Sequence, residues 1–214
     1  MTLITILVSV LALLVSLSTH EYCHALVSYL LGDRTAQRLG RLTLNPLAHI
    51  DPIGTVLVPL IGLISGFPVI GWAKPVPFNP YNLRYHKWGA TLVGLAGPAS
   101  NFLFALIYLA LLKVAFGLIG LPSGNLLVVF LASLVSVNVV LGLFNLLPVP
   151  PLDGSKVIEA LLDAPKHRQL LLFLETRGPM IIFAILILDS FLPSSVIGHV
   201  FNGAFNFVFG LAGL

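Results

Sequence analysis

LITILVSVLALLVSLSTHEYCHALVSYLL, residues 3–31, is a predominantly apolar run with one formal charge, on Glu21. It exceeds the roughly 20 residues that an α-helix needs to cross a bilayer core. Over the whole chain 57% of the 214 residues are hydrophobic and 9% are charged, against roughly a quarter charged in a soluble domain. The sequence therefore predicts a protein of the lipid bilayer. Its net charge of +3 is small and scattered, so no nucleic-acid partner is expected.

Further apolar runs predict more spanning helices. Three have the length that a bilayer core demands, at approximately Ala90–Leu112, Leu126–Leu147 and Val196–Leu214. A fifth run, Pro179–Leu192, is shorter and carries Asp189 near its end. We predict an all-α polytopic membrane protein with about five to six transmembrane helices. We also predict one membrane-embedded domain over residues 1–214, with its core at 3–160 and C-terminal helices at 178–214.

The segment Ile53–Trp72 is apolar, but prolines and glycines interrupt it. Basic residues flank it on both sides: Arg34, Arg38 and Arg41 come before it, and Lys74, Arg84 and Lys87 come after it. Because Lys and Arg concentrate in cytoplasmic loops, we expect this segment to enter and leave on the cytoplasmic side as a re-entrant or extended element. A plain transmembrane helix that violates the charge statistics is the alternative. If the segment is re-entrant or extended, the N-terminus lies on the outer side of the membrane.

Within the first helix, His20-Glu21-Tyr22-Cys23-His24 form a His-Glu-x-x-His pattern. Residues four apart lie on one helical face, so both imidazoles can reach one metal ion with Glu21 beside them. Zinc accepts imidazole ligands, and a catalytic zinc site keeps a position for water, whose proton a neighbouring Glu can accept. The pattern also arises by chance in soluble proteins. At membrane depth, however, an unpaired charge costs roughly 3 kcal/mol, and a metal site accounts for all three side chains.

A catalytic zinc usually has a third protein ligand, and the candidate is Asp153 in NLLPVPPLDG, residues 145–154. This stretch follows an apolar helix at its basic, cytoplasmic end. The first helix carries its two histidines toward the same end, so two half-sites from oppositely directed helices can meet. Taken alone, the Asp-Gly pair also fits an ordinary turn. We predict that His20, His24 and Asp153 hold one Zn2+ per chain.

Together these motifs resemble the two-part signature of the site-2 protease family of intramembrane zinc metalloproteases. That signature is His-Glu-x-x-His in one membrane helix and, far downstream, N-x-x-P-x-x-x-x-D-G, which is matched here by Asn145, Pro148, Asp153 and Gly154. Gly97-Pro98-Ala99-Ser100-Asn101 is similar to the family's glycine- and proline-containing core helix. The resemblance covers roughly residues 3–160 and is to compact members, since neither a PDZ nor a CBS domain is recognised.

The resemblance implies that His20, His24 and Asp153 are the metal ligands and that Glu21 is the general base. It also implies that Asn145 acts as a polar group near the scissile carbonyl, where it can donate to an oxyanion. An interhelical hydrogen bond is the alternative for Asn145, and we expect such a packing role for Asn101 and Asn138.

We expect the substrate to be a membrane protein with a transmembrane helix, which must unwind before its carbonyls can be attacked. Residues 71–78 are extended because residues before proline avoid the helical region. They can lie beside an unwound substrate as an added strand, although a simple loop is the alternative. The candidate substrate-binding residues are Trp72, Ala73, Lys74 and Pro148.

Two other classes of function fit parts of the pattern. Intramembrane charges and broken helices also occur in ion transporters, and a zinc-binding scaffold without activity has the same ligands. The paired histidines with an adjacent Glu favour hydrolysis. We therefore predict a multi-pass protease of the cell membrane, with its active site nearer the cytoplasmic side.

Overall fold

The computed structural model of the protein describes residues 3–57, 61 and 72–214. Seven α-helices are present in these ranges: α1 Leu3–Leu30, α2 Thr35–Arg38, α3 Gly89–Leu112, α4 Leu126–Asn145, α5 Ser155–Leu161, α6 Arg168–Phe191 and α7 Val196–Ala212. Every other regular element in the described part of the chain is a short 3-10 or π turn. The predicted all-α class is therefore confirmed for the described residues.

Four helical segments of the described chain are long and apolar enough to cross a membrane: Leu3–Leu30, Gly89–Leu118, Leu126–Asn145 and Pro165–Phe191. Helices suit this setting because a helix satisfies its own backbone N–H and C=O groups where no water is available. The helix α7 has 17 residues and is shorter than these four. The expectation of five to six spans therefore stays a prediction.

The predicted start of the fifth helix is wrong. We placed it at Pro179, whereas α6 begins at Arg168 and carries Pro179 in its interior. Proline lacks an N–H and usually marks a helix boundary in water. In a helix within the membrane the freed carbonyl can be satisfied by neighbouring groups, so proline is tolerated in mid-helix. Pro98 lies inside α3 in the same way.

The core is formed by α1, α3 and α4, each of which packs against the other two. Small and aliphatic side chains from all three helices meet in one cluster, which contains Ala12, Leu112, Ala115, Val128, Leu131 and Leu134. A second cluster joins α3 and α4 to the C-terminal helix α7 through Ala105, Leu109, Val135, Val139 and Ala212. These three core helices carry buried polar side chains, among them His20, Glu21 and His24 on α1, Asn101 on α3 and Asn138 on α4.

Most of the segment Ile53–Trp72, namely residues 58–60 and 62–71, lies outside the described residues, and its re-entrant interpretation therefore stays a prediction. The described ends are in contact. The Trp72 N–H donates to the Gly54 carbonyl at 3.1 Å, and the Thr55 hydroxyl donates to the Trp72 carbonyl at 2.8 Å.

Beyond the carboxyl end of α1, Asp33 connects the loop that follows Trp72 to this helix. Its side chain has no solvent exposure. It accepts hydrogen bonds from Ser28 Oγ, Thr35 N, Thr35 Oγ1, Asn79 N and Asn82 Nδ2. Burial opposes ionisation of this carboxyl, but the hydrogen bonds outweigh it and lower its pKa from 3.8 to about 2.

Candidate metal centre

The helix α1 carries three buried ionisable side chains in its carboxyl-terminal half. His20, Glu21 and His24 are 4%, 7% and 7% exposed. The two histidines are four residues apart, so their rings lie on one face of the helix, with centroids 4.6 Å apart. The helix thus supplies two imidazoles and a carboxylate at one depth.

Asp153 reaches the same point from the loop between α4 and α5. The Gly154 N–H donates to the Asn145 carbonyl at 2.7 Å, which folds the loop back onto the end of α4. A Cβ at Gly154 would come within 2.2 Å of the Leu146 carbonyl oxygen, so only glycine fits at this position. The tight turn directs the preceding carboxylate toward α1.

The three candidate ligand atoms form a small triangle. His20 Nε2 and His24 Nε2 are 3.0 Å apart. Asp153 Oδ2 lies 3.2 Å from His20 Nε2 and 3.3 Å from His24 Nε2. Ligand atoms around a tetrahedral zinc at 2.0–2.1 Å are separated by about 3.3 Å, so these residues fit a zinc ion. Among the described residues Asp153 Oδ2 has no hydrogen-bond partner although it is buried, and a metal ion would satisfy it.

The far side of each imidazole is also fixed. His20 Nδ1 lies 2.6 Å from Asn101 Oδ1 on α3, and His24 Nδ1 lies 2.6 Å from the Val93 carbonyl. Because both partners are acceptors, each ring carries its proton on Nδ1 and leaves its Nε2 lone pair for a metal. Such partners orient metal-binding histidines and set their tautomer.

Asn101 itself is held by a buried chain of amides. Its Nδ2 donates to Asn138 Oδ1 on α4 at 2.8 Å. Asn138 Nδ2 in turn donates to Ser16 Oγ and to the Leu134 carbonyl, both at 2.8 Å. The expected packing role of these two asparagines is therefore present, but Asn101 also contacts the candidate ligand His20. The Gly-Pro-Ala-Ser-Asn motif pointed to Asn101. Its contact with His20 could not be predicted from spacing along one helix, because the two residues lie on different helices.

The close approach of α3 depends on Gly97. A Cβ at this position would lie 2.4 Å from His24 Nε2 and 2.5 Å from His20 Cε1. Real side chains essentially never make such contacts, so a larger residue would displace the imidazoles or the helix. Glycine at residue 97 is what lets α3 cover the metal centre.

Glu21 faces the loop that precedes α3. Its Oε2 accepts a hydrogen bond from the Val76 N–H at 3.1 Å. Val76 is buried in a cluster with Ala25 and Ala36, so the segment lies directly against α1 and α2. The proline pattern predicted an extended segment beside a substrate, but it did not predict the contact of this segment with the candidate base.

The remaining candidate residues lie around this centre and are not gathered at it. Asn145 is half-buried at the end of α4, and its Nδ2 donates to the Leu141 carbonyl at 3.0 Å. Pro148 is exposed in the loop before Asp153. Trp72 and Lys74 are exposed and Ala73 is half-buried, in the extended segment that leads to Val76.

A multi-helix membrane domain with this set of histidine, glutamate and aspartate side chains defines a membrane metalloprotease. Comparison with protein families agrees, because the model of Peptidase family M50 matches residues 8–188. The chain belongs to this family, which is the site-2 protease family. The predicted resemblance and the predicted class of enzyme are thereby confirmed.

Curated relatives agree with this assignment. YwhC of Bacillus subtilis, named as a candidate zinc metalloprotease, is 42% identical over 180 residues, which are 83% of this chain and 78% of YwhC. Rip2 of Mycobacterium tuberculosis strain H37Rv, named likewise, is 32% identical over 207 residues, 94% of this chain and 72% of Rip2. Rip2 of Mycolicibacterium smegmatis is 32% identical over 160 residues, 73% of this chain and 58% of that protein. No solved structure matched the chain.

Proposed function

We propose that this chain hydrolyses peptide bonds in or near transmembrane segments of membrane-protein substrates. His20, His24 and Asp153 hold one zinc ion per chain, and Glu21 is the general base. The observation that carries the proposal is the triangle of Nε2, Nε2 and Oδ2 atoms with sides of 3.0–3.3 Å. Membership of a peptidase family and the names of the relatives support zinc as the metal.

A zinc ion held by these residues would polarise the substrate carbonyl and would lower the pKa of water so that a hydroxide nucleophile is available near neutral pH. The chain's own groups supply the rest of the chemistry. Glu21 Oε1 is the oxygen left available by the Val76 hydrogen bond to Oε2. It accepts the proton of the attacking water and later delivers it to the leaving amine. Burial of the site keeps bulk water away, which strengthens each of these polar interactions.

Asn145 is the proposed donor to the oxyanion of the tetrahedral intermediate. Its backbone carbonyl accepts from Gly154, the residue after Asp153, so it is tied to the ligand loop. Its amide must rotate away from the Leu141 carbonyl to reach a substrate. Trp72, Ala73, Lys74 and Pro148 are the proposed substrate contacts, because they lie on the two segments that border the centre.

The proposed setting is a cell membrane with the site nearer the cytoplasmic side. Supporting this orientation, the carboxyl end of α1 leads directly to Arg34, Arg38 and Arg41. Lys and Arg near the ends of spans mark the cytoplasmic face. The proposed partner is a membrane protein that brings an unwound transmembrane segment to the metal.

Metal content and cleavage test the ligand and base assignments separately. We expect purified wild type to hold one zinc per chain, and His20→Ala and Asp153→Ala to lose most of it. Glu21→Gln should keep the zinc but lose at least a hundredfold in cleavage rate, the lower range for a general base. The exposed Glu175→Gln on α6 is the matched control.

Three outcomes would contradict the proposal. Full zinc retention by Asp153→Ala would mean that the third ligand is another residue. Unchanged turnover in Glu21→Gln would exclude Glu21 as the base, and ion transport by wild-type vesicles with no cleavage would favour a transporter.

A further inference from the structure

Arg41 is a buried arginine in the loop after α2. Its side chain is 6% exposed. Among the described residues its hydrogen-bond partners are the backbone carbonyls of Ala48, Lys74 and Pro75, the last at 3.2 Å. A buried guanidinium bound to several carbonyls at once fixes the chain segments that carry them, because its planar fork has donors in set directions.

Two of those carbonyls belong to residues 72–76, which we call the strap. The strap is also tied to the loop before it, since the Lys74 N–H donates to the His49 carbonyl at 3.0 Å. His49 is 1% exposed, and its Nε2 hydrogen-bonds to the Thr43 carbonyl at 2.8 Å. Arg41 thus lies at the centre of a hydrogen-bonded backbone arrangement that ends at the buried residue Val76.

Val76 is the residue through which the strap reaches the candidate base. It lies between Pro75 and Pro77, so it carries the one N–H in these three residues. This N–H donates to Glu21 Oε2 at 3.1 Å. The strap therefore presents a single backbone donor to Glu21, and Arg41 holds the two residues just before it.

We propose that Arg41 is a positioning residue for catalysis, which orients the Glu21 carboxylate by holding the strap. A fixed Val76 N–H restrains rotation of the carboxylate and leaves Oε1 directed at the attacking water. Supporting groups of this kind decide whether a catalytic side chain is held in its productive geometry. This inference rests on the proposed role of Glu21 as general base.

The test compares Arg41→Gln with Arg38→Gln, an exposed arginine on the neighbouring helix α2. The assay uses a fluorescein-labelled synthetic peptide that contains one apolar transmembrane segment, with the full chain in detergent micelles, and zinc content is measured on the same samples. We expect Arg41→Gln to keep its zinc and to keep its KM within twofold. Its kcat should fall about tenfold, because a misoriented general base loses only part of its contribution to the rate. Arg38→Gln should match wild type.

The conservative variant distinguishes geometry from charge. Lysine keeps the positive charge but has no planar fork to bridge three carbonyls. We expect Arg41→Lys to recover at most a small part of kcat. Full recovery in Arg41→Lys, or a kcat for Arg41→Gln equal to wild type, would overturn the proposal. A higher kcat for Arg41→Gln would also overturn it, because the strap would then cover the site instead of orienting the base.

Strap position is measured independently of activity by alkylation. Cys23 is the chain's single cysteine, so a Cys23→Ala background with Val76→Cys carries one thiol in the strap. Val76 is 8% exposed, and we expect slow reaction with N-ethylmaleimide. Adding Arg41→Gln should make this alkylation about tenfold faster. A tenfold change corresponds to a local opening of the strap that costs about 1.4 kcal/mol less free energy. Equal rates would show that Arg41 does not hold the strap.

A second variant keeps the proposal testable if Arg41→Gln fails to fold. Val76→Pro removes the N–H that reaches Glu21 and leaves Arg41 in place. We expect it to retain zinc and to lose kcat as Arg41→Gln does; an unchanged kcat would contradict the proposal. If Glu21→Gln is fully active, the proposed function itself fails. If Glu21→Gln is inactive while Arg41→Gln and Val76→Pro match wild type, this inference alone fails.

Discussion

Asn101 Oδ1 lies 2.6 Å from His20 Nδ1, so an amide on α3 fixes an imidazole on α1. The geometry requires the ring proton on Nδ1, since the Asn101 oxygen can only accept. The His20 Nε2 lone pair is then free to bind a metal ion. This contact makes the metal centre depend on how α1 and α3 pack.

Replacing Asn101 with Leu should weaken zinc binding. Leucine has the same number and branching of side-chain heavy atoms but no acceptor for the His20 Nδ1–H, so the ring loses its fixed orientation. Loss of such a partner costs about 10- to 100-fold in metal affinity. Competition with a chromogenic chelator measures this affinity. Asn206→Leu, at an exposed position on α7, should leave it unchanged, and equal affinity in both variants would disprove the role of Asn101.

Gly97→Ala should prevent zinc binding, although it adds one methyl group. The new Cβ would lie 2.4 Å from His24 Nε2, so either the ring or α3 must move. We expect zinc content well below one per chain by elemental analysis. Gly203→Ala is the matched control, because in the described part of the chain a Cβ built there meets no heavy atom within 4 Å beyond the adjacent residues and nearby backbone of its own helix. It should keep full zinc content, and it should be slightly more stable because Ala favours helix over Gly.

Removing the metal should lower thermal stability. Zinc binds the folded site, and a ligand present at a hundred times its Kd stabilises a fold by about 2.7 kcal/mol. We therefore expect the Tm in micelles to fall on chelation and to recover when zinc is added. His20→Ala should show no such shift. Cys23→Ala should keep the full shift, because we expect this half-buried thiol to be inert; a lost shift would make it a ligand.

Acid should release the contribution of Asp33. The pKa of this carboxyl is about 2 in the folded protein against an ordinary 3.8. Its stabilisation is therefore complete above pH 3.8 and is lost as the pH falls toward 2. Asp33→Asn should lower the free energy of unfolding at pH 7 by about 1–3 kcal/mol, since the amide leaves buried donors without an acceptor.

The same variant should show a smaller loss of stability between pH 5 and pH 2 than wild type. Thermal unfolding in micelles, followed by circular dichroism, measures both effects. Asp163→Asn, at an exposed carboxyl, should behave as wild type does. Parallel pH profiles for Asp33→Asn and wild type would mean that Asp33 does not titrate in this range.

Local patterns predicted the elements that bear the chemistry. The His-Glu-x-x-His spacing required a single helical face, and α1 presents His20 and His24 on it. The N-x-x-P-x-x-x-x-D-G motif predicted Asp153 beyond the end of α4, and in the structure its carboxylate lies next to these two histidines. The start of α6 was missed because proline's effect on a helix depends on whether water or neighbouring groups satisfy the freed carbonyl.

The sequence by itself determined that the chain is built of membrane helices and that two of its motifs carry residues of the types that bind zinc, because period and spacing are local properties. Tertiary structure alone decided which distant polar groups support them: Asn101 behind His20, the Val76 N–H on Glu21, and Arg41 behind the strap. Such contacts join residues far apart in the chain, and their partners are set by the packing of helices and loops, which no local pattern encodes.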